Sequence, residues 1–282
     1  MGTLCGLSTD GALHHPGAAG ACHALPMREL LTGAVREAVR DAVLDAAAVL
    51  LPVDCAGCGQ PDRALCPACR VQCTADPVVR RLADGTPVVS ALRYEGVVRR
   101  AILAFKEEGR VDAARPLARS IRAAIEEAAA TALSAEHAGV ASTGTASGPA
   151  MPARLELCTV PATRAGRRRR GYRPVDLLVR TAGLRPVPVL TVVAGTIQQK
   201  ALGREERGSN LRDAMRVRHP PGAAPLLGRR FIVVDDILTT GATLGEAARA
   251  LHAAGGEVVV CATLAFTPRL FGRAVSAPGF RA

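Results

Sequence analysis

The chain has 282 residues, 49% of them apolar, enough to build one large or two modest globular domains. Aromatic residues are only 2%, without tryptophan, which argues against the stacking platforms that read single-stranded bases. The formal charge of +11 comes almost wholly from arginine, Lys106 and Lys200 being the only lysines, and no apolar stretch approaches the eighteen or so residues that insertion into a membrane needs.

Residues 1–26 are rich in Gly, Ala and His without periodicity and are expected to be disordered; Cys5, Cys22, His14, His15 and His23 are read as part of that segment rather than as a metal tract. No lysine or arginine precedes Arg28, so the positive region of a secretory signal is missing. Over residues 27–51, Leu31, Val35, Val39 and Val43 recur at helical spacing, which predicts an amphipathic helix ending at Pro52.

Residues 52–80 then hold Cys55-x2-Cys58-x7-Cys66-x2-Cys69. Two such pairs can place four thiolates tetrahedrally about 2.3 Å from a Zn2+ ion, a closed structural site with no position for water. A segment this short and polar has no core of its own, so ligation supplies its folding energy. Cys73 is a spare thiol or an alternative ligand, and Cys158 and Cys261 lie in strand-like runs as buried fillers. Cysteines paired as metal ligands rather than scattered as a disulfide framework point to a reducing cytoplasm.

Beyond the cysteines, residues 88–94 read as a strand, 96–105 as a helix and 113–132 as a second helix, followed by a flexible insertion rich in Ala, Gly, Ser and Thr at 134–152. Residues 155–160, 173–181, 187–193, 231–234, 243–254 and 257–265 then alternate strand and helix. Alternation predicts an α/β fold with a parallel sheet, flanking helices and right-handed crossovers.

The densest signal is VVDDILTTGATL at 233–244. An apolar strand buried on both faces would deliver Asp235 and Asp236 at its carboxyl end, where ligands of parallel sheets lie. Carboxylates only accept hydrogen bonds, which suits vicinal sugar hydroxyls. Thr239, Thr240, Gly241, Ala242 and Thr243 supply hydroxyls and backbone N–H groups at a helix N-terminus, where a phosphate is favoured. Gly241 lets the backbone turn and approach that phosphate. The predicted ligand is a sugar diol carrying a 5-phosphate; the plainer alternative is a strand, turn and helix with a threonine cap.

This run resembles the phosphoribosyl pyrophosphate signature of type I phosphoribosyltransferases. Together with the cysteine pairs, LRYEGVVRRAILAFKEEG at 92–109, TVPATRAGRRRRGYRPVDLLVR at 159–180 and QQKALGREERGSNLRDAM at 198–215, it resembles the ComF family, in which a zinc module precedes such a domain. The likeness spans residues 27–266, which makes Met27 a candidate start. It implies a type I phosphoribosyltransferase-like domain over 85–270, a tail at 271–282, and transfer of the phosphoribosyl group of phosphoribosyl pyrophosphate, with Mg2+, to an acceptor that the sequence does not spell. By the same resemblance, the turn at 161–164 with Arg164 would meet pyrophosphate, and Lys200, Arg204 and Arg207 would sit on a loop that closes over the site.

Relatives in the family are associated with DNA uptake in competence. A second expectation is therefore a non-catalytic protein using Arg164, Arg167–Arg170 and Arg173 to bind single-stranded DNA through its phosphates. The sequence carries no signal for an oligomeric state.

Overall fold

In the computed structural model, residues 53–143, 154–193, 213–218 and 225–268 are described. They all fall within the second of the two units into which the chain divides, Met1–Leu51 and Pro52–Ala282. The expected disorder at 1–26, the helix at 27–51, the loop bearing Lys200, Arg204 and Arg207, and the tail at 271–282 lie outside the described residues.

Five strands form the central sheet: β3 (Val78–Arg81), β4 (Pro87–Arg93), β9 (Glu257–Phe266), β8 (Arg230–Leu238) and β5 (Leu155–Thr159), in that spatial order. β4, β9, β8 and β5 run parallel, and β3 pairs antiparallel with β4 at one edge. Continuous Val, Ile, Ala and Leu runs suit strands covered on both faces. Along β8, Ile232 and Val234 enter one apolar cluster while Phe231 and Val233 enter another. Inside the sheet the Ser90 and Thr263 hydroxyls, wholly buried, bond each other at 2.7 Å, so neither polar group is left unpaired.

The first cluster is covered by α2 (Gly96–Glu107), α3 (Ala114–Thr143) and α5 (Pro174–Thr181). On α3, Leu117, Ile121, Ala124, Ala128 and Ala132 recur three or four residues apart and are all buried. Each fully buried Leu or Ile contributes roughly 1.5–3 kcal/mol. The second cluster is covered by α6 (Ala242–Ala253) and by a ribbon of β6 (Leu190–Val192) and β7 (Met215–Val217). Glu246 of α6 is buried beneath that ribbon, where its carboxylate accepts the Met215 N–H at 2.9 Å and meets Arg249 at 2.7 Å.

The architecture is the expected α/β sheet flanked by helices, with four differences of detail. Residues 187–193 were expected in the parallel sheet, but β6 pairs only with β7, antiparallel, in a sheet of its own. Pro186 and Pro188 cannot donate to a ladder, and Val187 alone gives one bond, to the Leu157 carbonyl at 2.7 Å. The second helix runs to Thr143, well into the expected insertion at 134–152, because its alanines are strong helix formers. Arg164–Arg170, expected as a turn and a charge run, forms a short helix, α4, capped by Thr163, whose side chain accepts the Gly166 N–H at 3.0 Å, and stopped by Gly171 in the left-handed region.

The cysteine segment is the fourth. β1 (Val53–Asp54) pairs with β2 (Pro61–Asp62), and α1 (Pro67–Gln72) follows. Expected as a module without a core, the segment instead gives Cys55, Leu65, Cys66, Cys69 and Cys73 to the same cluster that α2 and α3 cover. Its expected end, near residue 80, falls inside β3 of the main sheet.

Candidate functional site

The corner where β8 runs into α6 holds the residues that sequence reasoning singled out. β8 does not stop at Val234 as expected but continues to Leu238, with Asp235 in register with Thr263 of β9. Successive side chains of a strand point to opposite faces, so the two acids diverge rather than presenting a matched pair. Asp235 is buried, and its carboxylate accepts the Asp236 N–H at 2.8 Å. Asp236 is partly buried and meets the Lys106 ammonium at 2.6 Å. The β8–β9 ladder keeps pleating past both acids as far as Leu238.

Burial, and then repulsion from Asp236, raise the Asp235 pKa to about 7, against the Asp236 N–H and Lys106, which lower it. Lys106 shows the opposite balance. Burial depresses it, but the charge and hydrogen bond of Asp236, with a contribution from Asp235, carry its pKa above the usual lysine value, and Arg170 pulls the other way.

Past the acids, Thr239 and Thr240 are exposed and Gly241 caps α6 with φ +80°, a left-handed conformation that suits glycine. A Cβ there would also fall 2.6 Å from Leu82 Cδ2. Ala242 and Thr243 open the helix, half-buried, and their N–H groups lie among those that an α-helix cannot satisfy internally. Thr240 Oγ1 stands 3.4 Å from the Ala242 N–H, too long to occupy it fully.

One strand away, the Val160 N–H donates to the Val234 carbonyl at 2.9 Å, which sets the turn at 161–164 beside the acids. Arg164, at the start of α4, is exposed. Behind this turn Thr159 donates to Asp176 on α5, which Arg173 also approaches at 3.4 Å.

Three consecutive residues at the end of α2 tie these pieces together. The Phe105 carbonyl accepts from the Tyr172 hydroxyl, Lys106 holds Asp236, and Glu107 pairs with Arg169 and, at 2.8 Å, with Arg170. Sequence reasoning had Lys106 as one of two retained lysines and Arg170 within the basic run after the turn, but gave Glu107 and Tyr172 no part in the site. The signal available was the retention of one lysine at 106 in a chain that otherwise uses arginine; Glu107 and Tyr172 carry none, since their partners lie more than sixty positions away in sequence.

Residues 168–271 match the phosphoribosyl transferase domain family, a stretch that contains the acids, the threonine turn and α6. Over 59 residues the chain is 42% identical to adenine phosphoribosyltransferase of Mycobacterium avium, covering 21% of this chain and 33% of that protein. It is 32% identical over 102 residues to adenine phosphoribosyltransferase of Mycobacterium marinum (36% and 48% covered) and 36% identical over 78 residues to orotate phosphoribosyltransferase of a Nocardioides species (27% and 41%). The chain thus spans a third to about half the length of these curated relatives. A solved structure of Mycobacterium tuberculosis orotate phosphoribosyltransferase in complex with Fe(III) dicitrate aligns at 16% identity over 69% of this chain and 79% of that one, with a TM-score of 0.25, too loose a superposition to bear on the fold. The cysteine cluster and α2 with Lys106 lie ahead of the stretch matched to the phosphoribosyltransferase domain family.

The sulfur atoms of Cys55, Cys58, Cys66 and Cys69 all lie within 4.8 Å of one another. Four thiolates about 2.3 Å from a tetrahedral ion stand about 3.8 Å apart along each edge, and Cys58 and Cys66 are separated by 3.8 Å. The backbone N–H groups of Cys66 and Gly57 point at Cys55 Sγ at 3.3 and 3.4 Å. Burial raises the Cys55 pKa, but these donors outweigh it and bring the thiol down to about 6, favouring the thiolate that a metal needs. Gly57 has no room for a side chain, since a Cβ would fall 2.7 Å from Cys69 Sγ, and Arg100 of α2 donates to its carbonyl. The donor set therefore fits a tetrahedral metal ion such as zinc. Cys73 is buried nearby and is not one of the four.

No helix among the described residues is long and apolar enough to cross a membrane.

Proposed function

We propose that this chain is a ComF-like phosphoribosyltransferase that binds phosphoribosyl pyrophosphate at the β8–α6 corner and transfers its phosphoribosyl group to an acceptor. The observation that carries the reading is that β8, bearing Asp235 and Asp236, runs through the exposed Thr239–Thr240 turn into the N-terminus of α6, within the stretch matched to the phosphoribosyltransferase family. In this reading Asp236 accepts from the ribose diol, sharing its carboxylate with Lys106, and Asp235 supports it from inside the sheet. Thr239, Thr240, Gly241, Ala242 and Thr243 hold the 5-phosphate, and the turn at 161–164 with Arg164 meets pyrophosphate.

Transfer breaks the bond between the anomeric carbon and pyrophosphate while positive charge builds on the sugar ring, as in glycoside chemistry. The protein's work is to hold the leaving group among pre-set donors and to keep the acceptor in line. Mg2+ bound with the ligand would neutralise part of its charge. Lys200, Arg204 and Arg207, on a loop that by resemblance to the family closes over the site, would exclude water and complete the clamp. Cys55, Cys58, Cys66 and Cys69 would hold a structural Zn2+ that braces α2 through Gly57 and Arg100. A cytoplasmic setting and a transferase domain over 85–270 belong to the same reading.

The test is pyrophosphate release from phosphoribosyl pyrophosphate across a panel of nucleobase and amine acceptors. Release with none of them, together with no calorimetric binding of phosphoribosyl pyrophosphate, would overturn the reading. A second reading, binding of single-stranded DNA, has the exposed Arg164, Arg167, Arg168 and Arg169 in its favour. Affinity for an oligonucleotide that falls steeply with salt, without pyrophosphate release, would favour it.

A further inference from the structure

The last turn of α2 carries Lys106 next to Glu107, which holds Arg170, so that the two cations feel each other's charge without either having its full set of acceptors. An ammonium has three donors. Among the described residues Lys106 pairs with Asp236, and its side chain is still 28% exposed. Arg170 is the more enclosed of the two, with 12% of its side chain exposed. One of its terminal nitrogens is committed to Glu107, while its Nε is buried with no hydrogen-bond partner. The guanidinium lies against the backbone of Gly166, where a Cβ would sit 2.8 Å from Nη1, so the absence of a side chain at 166 is what lets it fold back over α4.

A buried donor without an acceptor and two like charges within electrostatic reach are each unfavourable, and an anion between them relieves both. The position fits one ligand group in particular. Lys106 stands beside the acid expected at the diol, and Arg170 closes the helix that begins at the turn following β5. The group joining those two places on a phosphoribosyl donor is the substituent at the anomeric carbon. A pyrophosphate there would face repulsion from Asp235 and Asp236 unless a cation stood between, and Lys106 is that cation.

We propose that Lys106 and Arg170 hold the anomeric pyrophosphate of the phosphoribosyl donor, with Lys106 distinguishing a donor that carries it from a sugar phosphate that does not. This rests on the proposed binding of that donor at the β8–α6 corner. Lys106 is then a ligand-contacting residue and not merely the counter-ion of Asp236.

The experiment is calorimetric titration of the full chain with phosphoribosyl pyrophosphate and, separately, with ribose 5-phosphate, for the native protein, Lys106→Met and Lys106→Arg. Thermal unfolding by circular dichroism checks that each variant is folded. Lys106→Met should weaken phosphoribosyl pyrophosphate about tenfold or more, as expected for loss of a charged hydrogen bond, and change ribose 5-phosphate by less than about twofold. Lys106→Arg should recover most of the difference. Equal weakening of both ligands would overturn the proposal and leave Lys106 as a positioning partner of Asp236, as would unchanged affinity for both. A native protein that binds ribose 5-phosphate but gains nothing from the pyrophosphate would also overturn it. A native protein that binds neither ligand rejects the proposed function itself, a result distinct from all of these.

Discussion

The cysteine cluster lies against the first apolar cluster and α6 of the aspartate corner against the second, and the two sites are built in opposite ways. In the cluster four sulfurs converge, the backbone donates toward Cys55, and Gly57 removes the last atom that would hold them apart. Three of the four cysteines are buried and Cys58 is exposed, and a single ion would join all four sulfurs. At the corner the groups are held apart: Asp235 goes into the sheet, Asp236 leans on a lysine, Arg170 keeps an idle donor, and the first N–H groups of α6 face outward. A closed site stores its interactions for stability, whereas an open one leaves them unmade until a ligand arrives.

That contrast can be broken at several points. The largest effect is expected from the closed site: chelation of the metal, or Cys66→Ser, should lower the melting temperature by more than about 10 °C, since structural zinc supplies folding energy outright. Metal analysis should find one zinc per chain, and a protein that melts unchanged after chelation would leave four free thiols. At the open site, Asp235→Asn combined with Asp236→Asn should weaken phosphoribosyl pyrophosphate by about a hundredfold or more while the fold survives. Unchanged calorimetric affinity in the folded double variant would separate these acids from the ligand.

A smaller effect is expected at the turn between them and α6. Gly241→Ala must adopt φ near +80° and push Leu82 aside, costing about 1–3 kcal/mol, which a urea midpoint would register. Smallest is the pH response. The folded-state pKa of Asp235 is raised to about 7, so its contribution to stability is present at low pH and is lost as pH rises from about 4 through 7. Asp235→Asn removes that loss, so the variant should melt a few degrees above the native protein at pH 8 and close to it at pH 4. Parallel melting curves across this range would mean that the carboxyl titrates normally.

How legible these regions were in the sequence follows the range of the interactions that make them. The cysteine spacing, the strand–turn–helix order of β8 and α6, and the start of α3 depend on neighbours within a few positions and were legible, whereas the ends of β8 and α3 ran past those expected. The junction of Lys106, Glu107, Arg170 and Tyr172 depends on pairs more than sixty residues apart. No local pattern announces such a pairing. The acids lie between these cases, since their order along the chain was plain but their divergence was not. Whether a strand ends at Val234 or pleats on to Leu238 is decided by β9, whose Thr263 and Ala265 keep the register with Asp235 and Ile237.

The ribbon of β6 and β7 brings one more consequence. Its two ends meet where the Val193 N–H bonds the Ala214 carbonyl at 2.9 Å, and α6 anchors it from below through Glu246. Val193 and Ala214 therefore stand as two fixed anchors a hydrogen bond apart, and closing a chain segment between such anchors costs only about 0.6 kcal/mol more for each doubling of its length. Evolution or an engineer adding or removing sequence between these two anchors meets chain ends that the fold already holds together.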